Sequence, residues 1–199
     1  AATLLVAGMG DAGAALLLLF IGAGVLLLVA VSFGPRGRLS LVAGLLYAGL
    51  AGIALIWMRG LELGFQLILW TMALVWATDI LAYFAGRAIG GPKLAPRISP
   101  KKTWAGLGGG VLAAAAASAL IGLAFGWSAP IALLLLAGAL LAIVAQGGDL
   151  FESWLKRRQG VKDSGRILPG HGGVMDRVDG LVPVALVVAL WQAAAGGPA

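Results

Sequence analysis

The chain contains no cysteine and only one histidine, and charged residues make up just 11% of its 199 positions. The first absence excludes disulfides and thiolate metal centres, and a single imidazole excludes the paired-histidine sites typical of zinc. Scarce charge goes with a hydrophobic content of 61% and a mean hydropathy of +1.01. Apolar runs far longer than a soluble core helix recur along the chain, which indicates an all-α, polytopic integral membrane protein whose main solvent is lipid. The 32 glycines would weaken helices in water; in a bilayer, small residues let helices approach closely. No basic segment or small-residue cleavage site precedes the first apolar run, so no signal peptide is expected, and a start at Ala1 without methionine leads us to expect a segment upstream.

Hydropathy predicts about six spans, near residues 12–33, 41–58, 65–88, 104–125, 130–150 and 180–196. The connections alternate in charge. Arg36 and Arg38 follow the first span, five basic residues lie in the third loop, and six lie in the fifth. Thirteen of the fourteen basic residues therefore fall on alternate loops, which the positive-inside rule assigns to the cytoplasm. Arg59 is the exception, and with Arg36 and Arg38 it reads as a topological anchor. Trp57, Trp70, Trp104, Trp127 and Trp154 fall near predicted boundaries, where interfacial anchoring is the default role. The net charge of +6 suits anionic head groups or phosphates; nucleic acid is not expected as a partner, because the basic loops sit at membrane depth.

The acidic residues carry more information. Counting about 1.5 Å per residue, Asp79 lies roughly 21 Å from the outer surface in the third span, and Asp149 roughly 28 Å down the fifth. Asp176 and Asp179 open the sixth span from that same side. Four carboxylates from three spans thus meet one depth of one leaflet, which is costly unless a function requires it. Oxygen donors without thiols or paired histidines suit a hard cation such as Mg²⁺.

Residues 153–179 form a 27-residue polar stretch that holds six basic residues, three acidic ones and the lone His171. Ser153, Lys156, Arg157, Lys162, Arg166, Lys101 and Lys102 offer donors and positive charge, while Gly165, Gly170, Gly172 and Gly173 allow backbone amides near an anion. Together these describe a polyphosphate site. No Walker A loop and no dinucleotide fingerprint occurs.

The pattern Ser153-x-x-Lys156-Arg157-x4-Lys162-Asp163-x-Gly165, then Pro169-x-His171-Gly172-Gly173-x-x-Asp176-Arg177-x-Asp179, resembles the signature of the phosphatidate cytidylyltransferases, the CDP-diacylglycerol synthases. Thr78-Asp79 with Ala82-Tyr83-Phe84 and Gly86-Arg87 is similar to the same family, as is Lys93 to Pro96 running into Ile98 to Trp104. The resemblance covers about residues 76–181. Residues 1–64 read as N-terminal spans, fewer than family members usually have, and 65–199 as the catalytic membrane domain with cytoplasmic loops 86–103 and 151–179. The resemblance implies that CTP and phosphatidic acid give CDP-diacylglycerol and pyrophosphate, with Mg²⁺ required, in phospholipid biosynthesis at a bacterial inner membrane and with the site facing the cytoplasm. It implies metal binding by Asp149, Asp176 and Asp179, with Asp79 at the same depth.

Lys156, Arg157, Lys162 and Arg166 are then the groups expected to reduce repulsion between two anionic reactants, and Lys101 and Lys102 those expected to hold CTP or the lipid head group. Asp149, Lys156, Asp163 and Asp176 form the catalytic set, although Asp163 equally suits an ion pair that holds the loop. Phosphatidate is already ionised near neutral pH, so His171 reads as a phosphate or structural hydrogen-bonding group in preference to a general base. Ser153 suits a phosphate or its own helix. Tyr83 and Phe84 read as packing. Membrane lipids are expected neighbours, and a homodimer and a second, monovalent cation are left open. An ion-coupled transporter is the competing reading, weakened because its site should lie near the midplane between repeats. A sister enzyme acting on another lipid phosphate would share the signature.

Overall fold

The structure is a computed structural model that describes residues 3, 7, 11–30, 34–158, 160 and 178–195; the side chains of 35–40 fall outside that description. Among the described residues, six helices and one hairpin follow in order: α1 Ala12–Val29, α2 Gly34–Arg59, α3 Gly64–Ala88, β1 Lys93–Ala95, β2 Ser99–Thr103, α4 Trp104–Ala124, α5 Ile131–Arg158 and α6 Leu181–Ala194. Five of the helices are long and apolar enough to cross a membrane. The sixth expected span is a 14-residue apolar helix, about 21 Å at 1.5 Å per residue, shorter than the roughly 30 Å hydrocarbon core. Leu17, Phe20, Leu28, Leu112, Leu120 and Leu190 are exposed, as lipid-facing side chains should be.

The chain divides into two compact units, Ala1–Ile68 with Ala185–Ala199, and Leu69–Val184. In the first, α1 packs on α2 through Ala15, Leu19 and Ile53. Asp11 caps α1, its carboxylate accepting from the Ala14 N–H at 2.8 Å, which satisfies an amide that would otherwise lack a partner.

The second unit holds every site residue discussed below. Its helices approach closely because small side chains face one another. A Cβ on Gly106 would lie 2.8 Å from the Ala82 carbonyl oxygen, and one on Gly110 would lie 2.9 Å from that of Thr78. Glycines one turn apart on α4 therefore seat it directly on the α3 backbone, beside Asp79. Deeper in the unit, the Trp70 indole N–H donates to Ser118 Oγ at 3.1 Å, and the Ser118 hydroxyl donates to the Leu134 carbonyl at 2.6 Å, which ties α3, α4 and α5 together. Trp70 is 1% exposed and packs edge-on against Trp127, so the interfacial role expected for it is corrected: an indole whose donor finds a buried acceptor belongs to the core.

The third loop contains an antiparallel two-stranded ribbon, an element outside the all-α expectation, that pairs Lys93 with Thr103 and Ala95 with Ser99. Pro96 occupies the second position of a turn closed by the Ile98 N–H on the Ala95 carbonyl at 3.1 Å, a position that proline's fixed φ favours. Gly90 and Gly91, at φ 69° and 91°, make the bend that returns the chain from α3. Thr103 ends the ribbon and caps α4, its hydroxyl accepting from the Gly106 N–H at 3.0 Å.

Helix α5 also differs from expectation. It runs on to Arg158, two turns beyond the predicted end of the fifth span at 150. Glu152 and Lys156 pair one turn apart, and three basic residues in the last turn oppose the negative end of the helix dipole. Ser153, Lys156 and Arg157 are accordingly helical residues in phase with Asp149.

Gly110→Val would force a branched side chain against the α3 backbone, an overpacking that typically costs about 1–3 kcal/mol. A lower unfolding temperature in detergent is the expected outcome, with intrinsic fluorescence as the measurement.

Candidate active site

Each wall of the site comes from a different element. Asp79 lies on α3 next to Thr78, whose carbonyl and methyl group Gly110 of α4 presses against. Gln146, Asp149 and Ser153 succeed one another at intervals of three and four along α5, and so share a face. Lys102 projects from β2 into the space between. Its ammonium group pairs with Asp149 Oδ2 at 2.6 Å and donates to Gln146 Oε1 at 2.8 Å, with the Gln146 carbonyl at 3.5 Å. Gln146 turns its amide N–H to Asp79 Oδ1 at 3.4 Å, and the Ser153 hydroxyl donates to Asp149 Oδ1 at 3.3 Å. The result is a polar chain, Asp79, Gln146, Lys102, Asp149, Ser153, that links α3, β2 and α5.

Asp79, Gln146, Lys102 and Asp149 of this chain floor an open cavity of about 690 Å³ whose walls include Tyr83, Arg87, Lys93, Ser99 and Lys101. The Arg87 guanidinium donates to the Tyr83 hydroxyl at 2.9 Å at the exposed rim. Such a volume falls in the range of small-molecule sites, and its basic rim over an acidic floor favours a ligand that carries anionic oxygens.

Asp179 sits in the turn before α6, its carboxylate accepting from the Gly180 N–H at 2.8 Å. Burial, then the nearby Asp149 charge, push its carboxyl pKa up from the ordinary value, while that hydrogen bond, Glu152 and Lys102 act in the opposite direction. Asp79 lies close enough to feel the charges of Asp149, Asp179 and Lys102. Three of the four carboxylates expected at one depth are thus brought together. Asp176 lies outside the described residues, as do Lys162, Asp163, Arg166 and His171. Among the described residues no group of three or more Asp, Glu or His side chains converges closely enough to hold a metal ion. The donor chemistry suits a hard divalent cation: Asp149 pairs with Lys102, Asp79 and Asp179 lie within range of the same charges, and the acidic donors are all oxygens.

The other expected residues take distinct places. Lys101 stands on the cavity wall, exposed. Ser153 bonds back to its own helix, one of the two roles open to it. Lys156 lies 3.6 Å from Glu152 and, like Arg157, is not among the residues that line this cavity. Sequence reasoning passed over two residues. Gln146, 6% exposed, carried no charge to draw notice; its spacing from Asp149 was the available signal. Glu152, 5% exposed, was hidden because the fifth span was expected to end before it.

Comparison with known proteins gives the family. A match to the cytidylyltransferase family spans residues 3–194. The chain belongs to that family. Phosphatidate cytidylyltransferase of Brucella abortus biovar 1 (strain 9-941) is 50% identical over 188 residues, which cover 92% of this chain and 67% of the relative. The proteins of that name from Pseudomonas aeruginosa and Bacillus subtilis (strain 168) are 46% and 41% identical, over 83% and 74% of this chain and 62% and 55% of theirs. This cytidylyltransferase-family chain thus spans about two thirds or less of the length of those three relatives.

Replacing Lys102 with Met would leave the carboxylates without their shared cation. The expected cost is on the order of 1–3 kcal/mol, as for a hydrogen-bonded buried group losing its partner. Detergent unfolding of the variant measures it; an unchanged unfolding temperature would mean that solvent screens the cluster.

Proposed function

We propose that the protein is a CTP:phosphatidate cytidylyltransferase, a nucleotidyltransferase that forms CDP-diacylglycerol and pyrophosphate from CTP and phosphatidic acid in phospholipid biosynthesis. The observation that carries this reading is the Lys102 ammonium held between Asp149 and Gln146 at the base of a basic-rimmed cavity, in a chain half identical to an enzyme of that name. An ion-coupled transporter finds no support in the relatives.

The reaction joins two anions. An oxygen of the lipid phosphate attacks the α-phosphorus of CTP in line with the bond to the β-phosphate; the new P–O bond forms as that bond breaks, and pyrophosphate leaves with the bonding pair. Repulsion is the main barrier, so positive charge and orientation are what the protein supplies. Lys102 and Lys101 stand where phosphate oxygens would enter, with Arg87 and Lys93 at the rim. Lys156 and Arg157 in the last turn of α5 add charge, as do Lys162 and Arg166 in the sequence that follows it, and His171 and Ser153 add hydrogen bonds. Asp163 either takes part or holds that segment by an ion pair.

Asp149, Asp176 and Asp179, together with Asp79, are the residues we assign to Mg²⁺. When bound, it would neutralise phosphate oxygens. We further place the site on the cytoplasmic face of a bacterial inner membrane, with six spans, on the alternation of basic loops. A monovalent second cation and a homodimer are compatible with this assignment.

Incubating the purified protein with labelled CTP, Mg²⁺ and phosphatidic acid tests the reading directly: labelled CDP-lipid is expected, and its absence over a range of Mg²⁺ would refute it. Asp149→Asn should lower the rate at least about a hundredfold while leaving elution in detergent unchanged. Full activity in that variant would overturn the metal assignment.

A further inference from the structure

Lys102 occupies a position that a cation at Asp149 would contest. Its ammonium lies 2.6 Å from Asp149 Oδ2, so in the free protein the lysine neutralises the carboxylate that the reading above assigns to Mg²⁺. An ammonium expelled from that carboxylate within a part-buried site would be costly unless other acceptors received it. Those acceptors are already in contact. Gln146 presents Oε1 at 2.8 Å and its main-chain carbonyl at 3.5 Å to the same nitrogen, from the turn of α5 just before Asp149.

The Gln146 amide cannot turn away freely. Nε2 is the only part of that group able to donate, and it faces Asp79 Oδ1 at 3.4 Å, which leaves Oε1 directed at Lys102. The residue is 6% exposed, so water does not readily take its place. Asp79, Gln146 and Lys102 are thus oriented together, independently of Asp149.

The geometry points to Gln146 as a positioning residue: it receives the Lys102 ammonium when a divalent cation takes Asp149, and so keeps that positive charge at the base of the cavity, aimed at substrate phosphate. Lys102 is then a stand-in counter-ion in the free state and a phosphate-facing group in the loaded one. Nothing covalent changes; one ion pair is exchanged for hydrogen bonds to a neutral amide and a carbonyl. Without Gln146, Lys102 would have Asp149 as its strong partner, so it would compete harder with the cation and, once displaced, would swing free.

This inference rests on the cytidylyltransferase reading, and the same preparation tests the two separately. An amine-reactive reagent is applied in detergent with and without Mg²⁺, no nucleotide present, and labelling of Lys102 is read by mass spectrometry with exposed Lys101 as reference. In the parent protein, Mg²⁺ should change Lys102 labelling less than twofold. In Gln146→Met, similar in volume but without the amide, Mg²⁺ should raise it at least fivefold, and the Mg²⁺ concentration for half-maximal CDP-lipid formation should rise at least fivefold. Gln146→Glu, which keeps an acceptor, should label like the parent. A fivefold rise in the parent itself would overturn the handover whether or not either variant folds, as would equal labelling of the parent and Gln146→Met at all Mg²⁺ concentrations. CDP-lipid formation by the parent tells these outcomes from a failure of the underlying reading.

Discussion

The arrangement depends on one electrostatic constraint: Asp79, Asp149 and Asp179 lie close enough to influence one another, with the Lys102 ammonium paired to Asp149 and within range of the other two. Carboxylates so placed repel one another, and a cation kept among them lowers that cost. Much of the surrounding structure serves that end. The ribbon between α3 and α4 exists where Pro92, Pro96 and Pro100 prevent a helix, and it delivers Lys102 to the α5 face that carries Gln146 and Asp149. Thr103, the next residue, anchors that strand by capping α4.

Close helix packing sets how well the charges can meet. Because Gly106 and Gly110 bring α4 against the α3 backbone, the start of α4 lies beside Asp79. Gly148 does the same on α5, where a Cβ would lie 2.6 Å from the Asp179 carbonyl oxygen. The small residues that replace hydrophobic packing in lipid thereby also set the distances within the acidic cluster. Away from the site, the Trp70, Ser118 and Leu134 hydrogen bonds tie the same three helices together.

An all-α membrane architecture was legible because hydropathy alone forces it: apolar runs cannot be solvated in water, and helices satisfy their backbone groups in lipid. The candidate carboxylates were legible because a charge placed among such runs is conspicuous. Gln146 was not, since a neutral amide costs less to bury and leaves little trace in composition. The end of α5 was misplaced for a related reason. Hydropathy marks where a segment leaves lipid, whereas helix termination depends on caps and on pairs such as Glu152 with Lys156, which allow the helix to continue in water. Trp70 was assigned to an interface because position along the chain was the sole guide; the buried hydroxyl of Ser118, 48 residues away, decides its place.

By itself, the sequence determined that the chain is an all-α membrane protein, that a few carboxylates interrupt its apolar runs, and that its motifs are those of a cytidylyltransferase. These follow from local properties: transfer free energy, a fixed rise per residue, and residue types at set spacing. Only the tertiary structure decided that Lys102, and not Lys101 or Lys156, pairs with Asp149, and that Gln146 stands between that pair and Asp79. Partner choice among several nearby charges depends on distances of a few ångströms between separate elements, and the chain acquires those distances only when its helices pack.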